Sequence, residues 1–183
     1  MIYPIVVYGA SVLKKKGAEI EFGTDVTELV NDMFETMYNA NGIGLAAPQI
    51  GKSIRMFITD GKATEEPGMD EFKRVFINPT IIEENGDEWV FEEGCLSIPD
   101  IREEISRQQH VTVKWFDEEW KEHQESFDGL KARIIQHEFD HIEGVLFTDY
   151  LTPFKKRVLK GRLMNITKGR IKTDYRILAP MAK

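Results

Sequence analysis

The sequence predicts an α+β fold in which short antiparallel β-strands pack around a central helix, all within one domain. Three observations lead there. Apolar residues recur at helical spacing in separated segments, and a block of short β-like runs lies between them. One helical segment carries His137-Glu138-Phe139-Asp140-His141, whose two histidines fall on the same helix face. At 183 residues the chain can bury one sizeable core but not two comfortable ones, so the domain is drawn as 1–183.

Taken in order, the opening stretch through Leu13 is apolar, but it lacks a basic start and carries Pro4 and Gly9, which makes a poor signal peptide. From Asp25 to Ala40, Val26, Leu29, Val30, Met33, Phe34, Met37 and Tyr38 make one apolar helical face. Asp25 with Glu28 reads as a capping box, and Asn41-Gly42 as the stop. Residues 42–51 are a loop by composition, followed by a strand from Ile54 to Thr59. Residues 60–71 read as an exposed acidic loop. Short β-like runs follow at Val75–Ile77, Ile81-Ile82, Trp89–Phe91 and Val111–Phe116, the last with the alternation of a half-buried strand. A helix over Gly129–Ile142 is expected, with Asp128 as its N-cap, and another over Pro153–Thr167. Arg170–Leu178 is read as a closing strand, so that 151–183 forms a basic C-terminal helix and strand.

Composition narrows the function. With 42% hydrophobic and 30% charged residues the chain has the balance of an ordinary globular protein rather than a disordered one. The single cysteine, Cys95, excludes a disulfide framework and a four-cysteine zinc ribbon, and suits a reduced thiol in the cytoplasm. The longest uncharged run, Thr36–Gly51, falls short of the ~20 apolar residues of a spanning helix, so no membrane partner is expected. A net charge of −7 argues against a DNA-coating role. That charge is segregated: residues 151–183 hold ten Lys/Arg against one acid, Asp174, whereas the first 150 hold 14 bases against 30 acids. The basic segment suits either a solvated face paired with the acidic body or a contact with ribosomal RNA.

The chemistry concentrates in three strings. His137 and His141, at i and i+4, can grip one ion, with Glu138 beside them to handle protons. A catalytic metal then lacks one protein ligand. The HExxHxxGxxH pattern fails at Phe147, and no Glu follows Glu143, so the third ligand comes from upstream. Cys95, in Glu93-Gly94-Cys95-Leu96-Ser97, stands out among candidates that include His110, His123 and many carboxylates, because a thiolate binds transition metals well. The third string, Gly42-Ile43-Gly44-Leu45-Ala46-Ala47-Pro48-Gln49, satisfies GxGxxA but follows a helix instead of a strand, so a dinucleotide reading fails. It can instead run beside an extended peptide and exchange main-chain hydrogen bonds with it.

Together and in this order, the three strings resemble those of the peptide deformylases, over about the first 150 residues. The resemblance implies a metal-dependent hydrolase that removes the N-formyl group from N-formylmethionyl nascent polypeptides and releases formate. It implies metal ligation by Cys95, His137 and His141, with Fe(II) the physiological ion and Zn, Ni or Co as substitutes. Metal-bound hydroxide would attack the formyl carbon with Glu138 as general base and acid, while Gln49 and the Leu96 N–H stabilise the oxyanion. Ile43, Gly44, Arg102, Leu130 and Ile134 match substrate-binding positions; Arg133 departs from the apolar residue often found there. The acidic loop and strand-like end differ from the better-known bacterial type, which closes with a long helix. Two rivals use the same residues: an HExxH metallopeptidase, and a non-catalytic, metal-stabilised binder of peptide N-termini.

Overall fold

The computed structural model describes residues 1–182, and in it a strongly bulged antiparallel sheet sets the position of everything else. In chain order the elements are β1 (Ile5–Val6), α1 (Thr27–Asn39), β2 (Gly44–Ala46), β3 (Met56–Asp60), β4 (Lys73–Cys95), β5 (Ile98–Phe116), β6 (Glu122–Asp128), α2 (Gly129–Ile142), α3 (Pro153–Thr167) and β7 (Ile177–Leu178). Five strands form the main sheet in the order β2-β3-β4-β5-β6, while β1 and β7 pair in parallel. This is the α+β class expected, but the strands are not all short. None of the helices among the described residues is long and apolar enough to cross a membrane.

The separate β-like runs at Val75–Ile77, Ile81-Ile82 and Trp89–Phe91 belong to a single strand, β4, of 23 residues. Its register against β5 shifts between Ile77 and Thr80, Ile81 and Glu83, and Asn85 and Glu88. Each shift resets the two-residue alternation, so one bent strand looks like several short ones in sequence. Positive φ at Asn78 (47°) and Gly86 (83°) marks two of these bends. Val111–Phe116 is likewise the end of the longer β5.

Other boundaries move for local reasons. Asp25 Oδ1 accepts from Thr27 N at 3.0 Å, but the cap position is Val26, so α1 begins two residues later than expected. Asp128 occupies the N-cap of α2 without a side-chain cap bond; Gly129 at φ 55° makes the turn into the helix. Beyond α2, Gly144 has φ 76°, and a Cβ there would stand 2.8 Å from the Lys14 carbonyl, so both conformation and space require glycine. Residues 44–46 are a strand, not loop: Gly44, Leu45 and Ala46 pair with Thr59, Ile58 and Phe57. The 60–71 loop is exposed at its acids but anchored by the buried Met69, next to Phe72. The closing strand shrinks to two residues because its partner β1 offers only two before the chain turns at Gly9.

Alternation along β3 and β4 divides the core. Met56, Ile58, Val75 and Ile77 face Met33 and Met37 of α1, whereas Phe57 and Phe76 face the cluster containing Ile135 and Ile142 of α2. A third cluster packs Leu159, Leu163 and Ile166 of α3 on Ile98, Ile101 and Ile105 of β5. Helix α2 therefore lies on the sheet, with its C-terminal half at the Cys95–Ile98 turn. Phe76 is fully buried, its ring 4.5 Å from Phe57 and 4.8 Å from Trp115. Phe76→Ala is expected to cost about 3–5 kcal/mol, read in urea unfolding as a lower midpoint at unchanged slope.

Candidate active site

Three side chains from two elements meet where β4 turns into β5. Helical spacing stacks His137 and His141 one turn apart, with ring centroids 5.1 Å from each other. The last residue of β4 brings the Cys95 sulfur to 3.2 Å from Nε2 of His141. The ligand atoms of Cys95, His137 and His141 all lie within 4.8 Å of one another. The donor set fits a divalent transition ion: sulfur at ~2.3 Å and nitrogen at ~2.0 Å in a tetrahedral shell would stand about 3.5 Å apart. One thiolate with two imidazoles is also a set that such ions prefer to calcium or magnesium.

A second ring of groups orients the first. Glu93 Oε1 lies 2.9 Å from Nδ1 of His137, which leaves the other ring nitrogen to face the cysteine. The same carboxylate accepts from Arg107 Nε at 2.7 Å and Nη2 at 3.0 Å, and from Arg133 Nη1 at 2.8 Å. Burial pushes the Glu93 carboxyl up, but the hydrogen bonds and charges of His137 and Arg107 outweigh it and hold Glu93 well below the usual carboxylate range. Arg107 also donates to Asp140 at 2.8 Å, where Tyr150 Oη donates at 2.8 Å. Arg133 further donates to the carbonyls of Ile105 (2.9 Å) and Trp89 (2.6 Å), with its guanidinium over the Trp89 ring. Its Nη1 and Nη2 are thus turned toward Glu93 and the strands.

Glu138 is different. It is buried, and its Oε2 has no hydrogen-bond partner. Burial, helped by the negative charge of Glu93 and opposed by His137, pushes its carboxyl up to about 7. A Cβ on Gly44 would collide with this carboxylate, so the glycine on β2 makes room for it. Gln49 sits on the other side. Its Oε1 accepts from Ala46 N at 2.8 Å, which turns Nε2 toward Ser97 Oγ (3.2 Å) and Cys95 Sγ (3.6 Å).

These groups open into a cleft of ≈ 640 Å³. Ile43, Gly44, Gln49, Cys95, Leu96, Arg102, Leu130, Ile134, His137 and Glu138 all line it, and His141 lies buried behind Cys95. Residues of the three strings, with Arg102, Leu130 and Ile134, are therefore brought to one place. Strand β2 is the end strand of its sheet, with β3 on one side only. Arg102 is exposed at the rim and pairs with Glu92 at 3.2 Å. Of the other histidines, His110 is exposed, and His123, at the start of β6, pairs with Asp117 at 2.6 Å.

Sequence reasoning missed Glu93, Arg107 and Tyr175, whose hydroxyl donates to the Leu96 carbonyl at 2.8 Å. Only Glu93 left a trace, as the first residue of the string that carries Cys95.

Comparison with known proteins gives a consistent result. A family model described as polypeptide deformylase matches residues 2–157. A peptide deformylase from Cytophaga hutchinsonii is 53% identical over 100% of both chains. One from Christiangramia forsetii is 50% identical over 100% of this chain and 98% of its own. The crystal structure of a peptide deformylase from Legionella pneumophila, 37% identical, covers 93% of this chain and 98% of its own with a TM-score of 0.82.

The Glu93 network makes a stability prediction. Glu93→Gln strips two buried guanidiniums of their shared counter-charge and should cost about 3–5 kcal/mol, whereas Arg102→Ala, at an exposed pair, should cost less than about 1 kcal/mol. Chemical denaturation of both variants measures the contrast.

Proposed function

The chain belongs to the polypeptide deformylase family of enzymes, and we propose that residues 1–183 act as one catalytic domain that removes the N-formyl group from N-formylmethionyl nascent polypeptides in the cytoplasm, releasing formate. The observation that carries this reading is the meeting of a Cys-His-His ligand set with an unpartnered, buried Glu138 in one cleft. Cys95, His137 and His141 are the proposed ligands, with Fe(II) as the physiological ion and Zn, Ni or Co as substitutes. When bound, such an ion supplies a Lewis acid that polarises the formyl carbonyl and makes water acidic enough to give up a proton near neutral pH.

The protein groups do the rest. Glu138, buried beside the proposed ligands with its Oε2 unpartnered, stands where it can accept a proton from water and return it to the leaving amine. Gln49 Nε2, held by its own Oε1 contact to Ala46, and the Leu96 N–H donate to the oxygen that gathers negative charge. The open edge of β2 at Gly44, with Ile43 just before it, pairs with the substrate main chain, as an added strand does. Leu130 and Ile134 offer apolar wall to the first side chain, and Arg102 stands at the rim. Glu93 positions His137 and excludes the wrong tautomer.

Neither a metallopeptidase nor a non-catalytic binder is favoured. A structural site fills its shell with ligands, whereas here an unpaired acid and a fixed amide stand beside the three candidates. For partners beyond the substrate, the basic C-terminal segment remains the proposed ribosome contact. Lys155 is spent on Glu103 at 2.8 Å, but Lys156, Arg157 and Lys160 of α3 are exposed.

Glu138→Ala is expected to keep its metal and lose formate release from a formyl-Met peptide, whereas Cys95→Ala should lose both. Gln49→Ala should lower kcat by roughly 10²–10³-fold with a smaller effect on KM. Metal analysis beside a formate-release assay checks all three, and full metal content in Cys95→Ala would remove the ligand assignment. Co-sedimentation with ribosomes should weaken as salt rises and when Lys156, Arg157 and Lys160 are neutralised.

A further inference from the structure

The Cys95–Ile98 turn carries both a proposed metal ligand and a proposed oxyanion donor, and it is clamped residue by residue. Gln49 Nε2 reaches Cys95 Sγ and Ser97 Oγ. The backbone N–H of Tyr8 donates to the Ser97 carbonyl at 2.8 Å. Tyr175 Oη donates to the Leu96 carbonyl at 2.8 Å, from a residue 79 positions away.

Two of these clamps come from opposite ends of the chain and share one support. β1 and β7 pair Ile5 with Ile177 and Val6 with Leu178, and Ile5 N donates to the Arg176 carbonyl at 2.8 Å. Tyr8 lies two residues beyond β1, and Tyr175 two residues before β7. The small parallel pair therefore delivers both groups to the same turn. Residues 172–175 also form one side of the cleft. Burial, and then the charges of Cys95 and Asp100, hold the Tyr175 phenol above its ordinary value, so the hydroxyl stays protonated and able to donate. Tyr175 lies outside residues 2–157 that the family model matches.

We propose that Tyr175 is a positioning residue for deformylation: by holding the Leu96 carbonyl it fixes the orientation of the turn, and so aims the Leu96 N–H at the oxygen that gathers charge. The physical basis is that a preorganised donor contributes only when it points at the developing charge without having to reorient during the reaction. The Leu96 carbonyl and N–H are separated by a single residue's φ and ψ, so anchoring one restricts the other. This inference rests on the deformylase reading given above. Wild-type formate release tests that reading, and the variant tests this one.

The variant is Tyr175→Phe, which keeps the ring and removes only the hydroxyl. In the metal-loaded full-length enzyme, kcat for a formyl-Met peptide should fall about tenfold, with KM changed by less than about twofold. Metal content per chain and melting temperature should match wild type. Backbone amide exchange should speed up over residues 95–98 and stay as in wild type over α2. Unchanged kcat would overturn the proposal. So would a rise in KM at constant kcat, which would assign the ring to substrate contact, or a loss of activity that follows loss of metal or of thermal stability.

Discussion

A single buried carboxylate, Glu93, holds the site to the fold. It lies on β4, yet it binds Arg107 of β5 and both Arg133 and His137 of α2. The two guanidiniums share this carboxylate, and Arg107 has a second counter-charge in Asp140 at 2.8 Å. Burial and the nearby Arg107 charge both push the Arg133 guanidinium down, and only Glu93 pulls it back. The pairing thus ties the long hairpin to the helix at the level where their side chains meet over the cleft. Orientation of His137 follows from a bond that is at the same time part of the core.

The sheet determines where that bond can form. The bulges of β4 bend the strand after it leaves β3, so that its far half pairs with β5 alone and ends at the turn bearing Cys95. Meanwhile Phe57 and Phe76 fix α2 against the near half. A straight strand of the same length would carry Cys95 away from the helix. The irregularities are therefore part of the site's construction, and Gly44 shows the same logic in miniature, since absence of one carbon leaves space for the Glu138 carboxylate.

How much of this is legible in sequence depends on how local its cause is. Helices α2 and α3 span Gly129–Ile142 and Pro153–Thr167 as expected, and the start of α3 is set locally by the Thr152 cap and Pro153. That the candidate site residues meet in one cleft was legible through three short strings for the same reason. β4 was not, because alternation survives only between bulges whose positions depend on β5. The short string at 44–46 read as loop because Gly and Ala carry little strand propensity, and only pairing with β3 makes it a strand. Arg107 and Tyr175 are tied to the site by contacts 14 and 79 residues distant, which no local pattern encodes.

The shortness of β2 has a kinetic meaning. An edge of three residues offers a guest chain only a few main-chain hydrogen bonds, each contributing a net ~0.5–1.5 kcal/mol. A grip of that size is weak enough to be readily broken. If this edge holds the substrate as proposed, a short edge lets the product main chain leave sooner than a longer one would. On that reading the length of β2 caps how tightly the main chain of a guest is held.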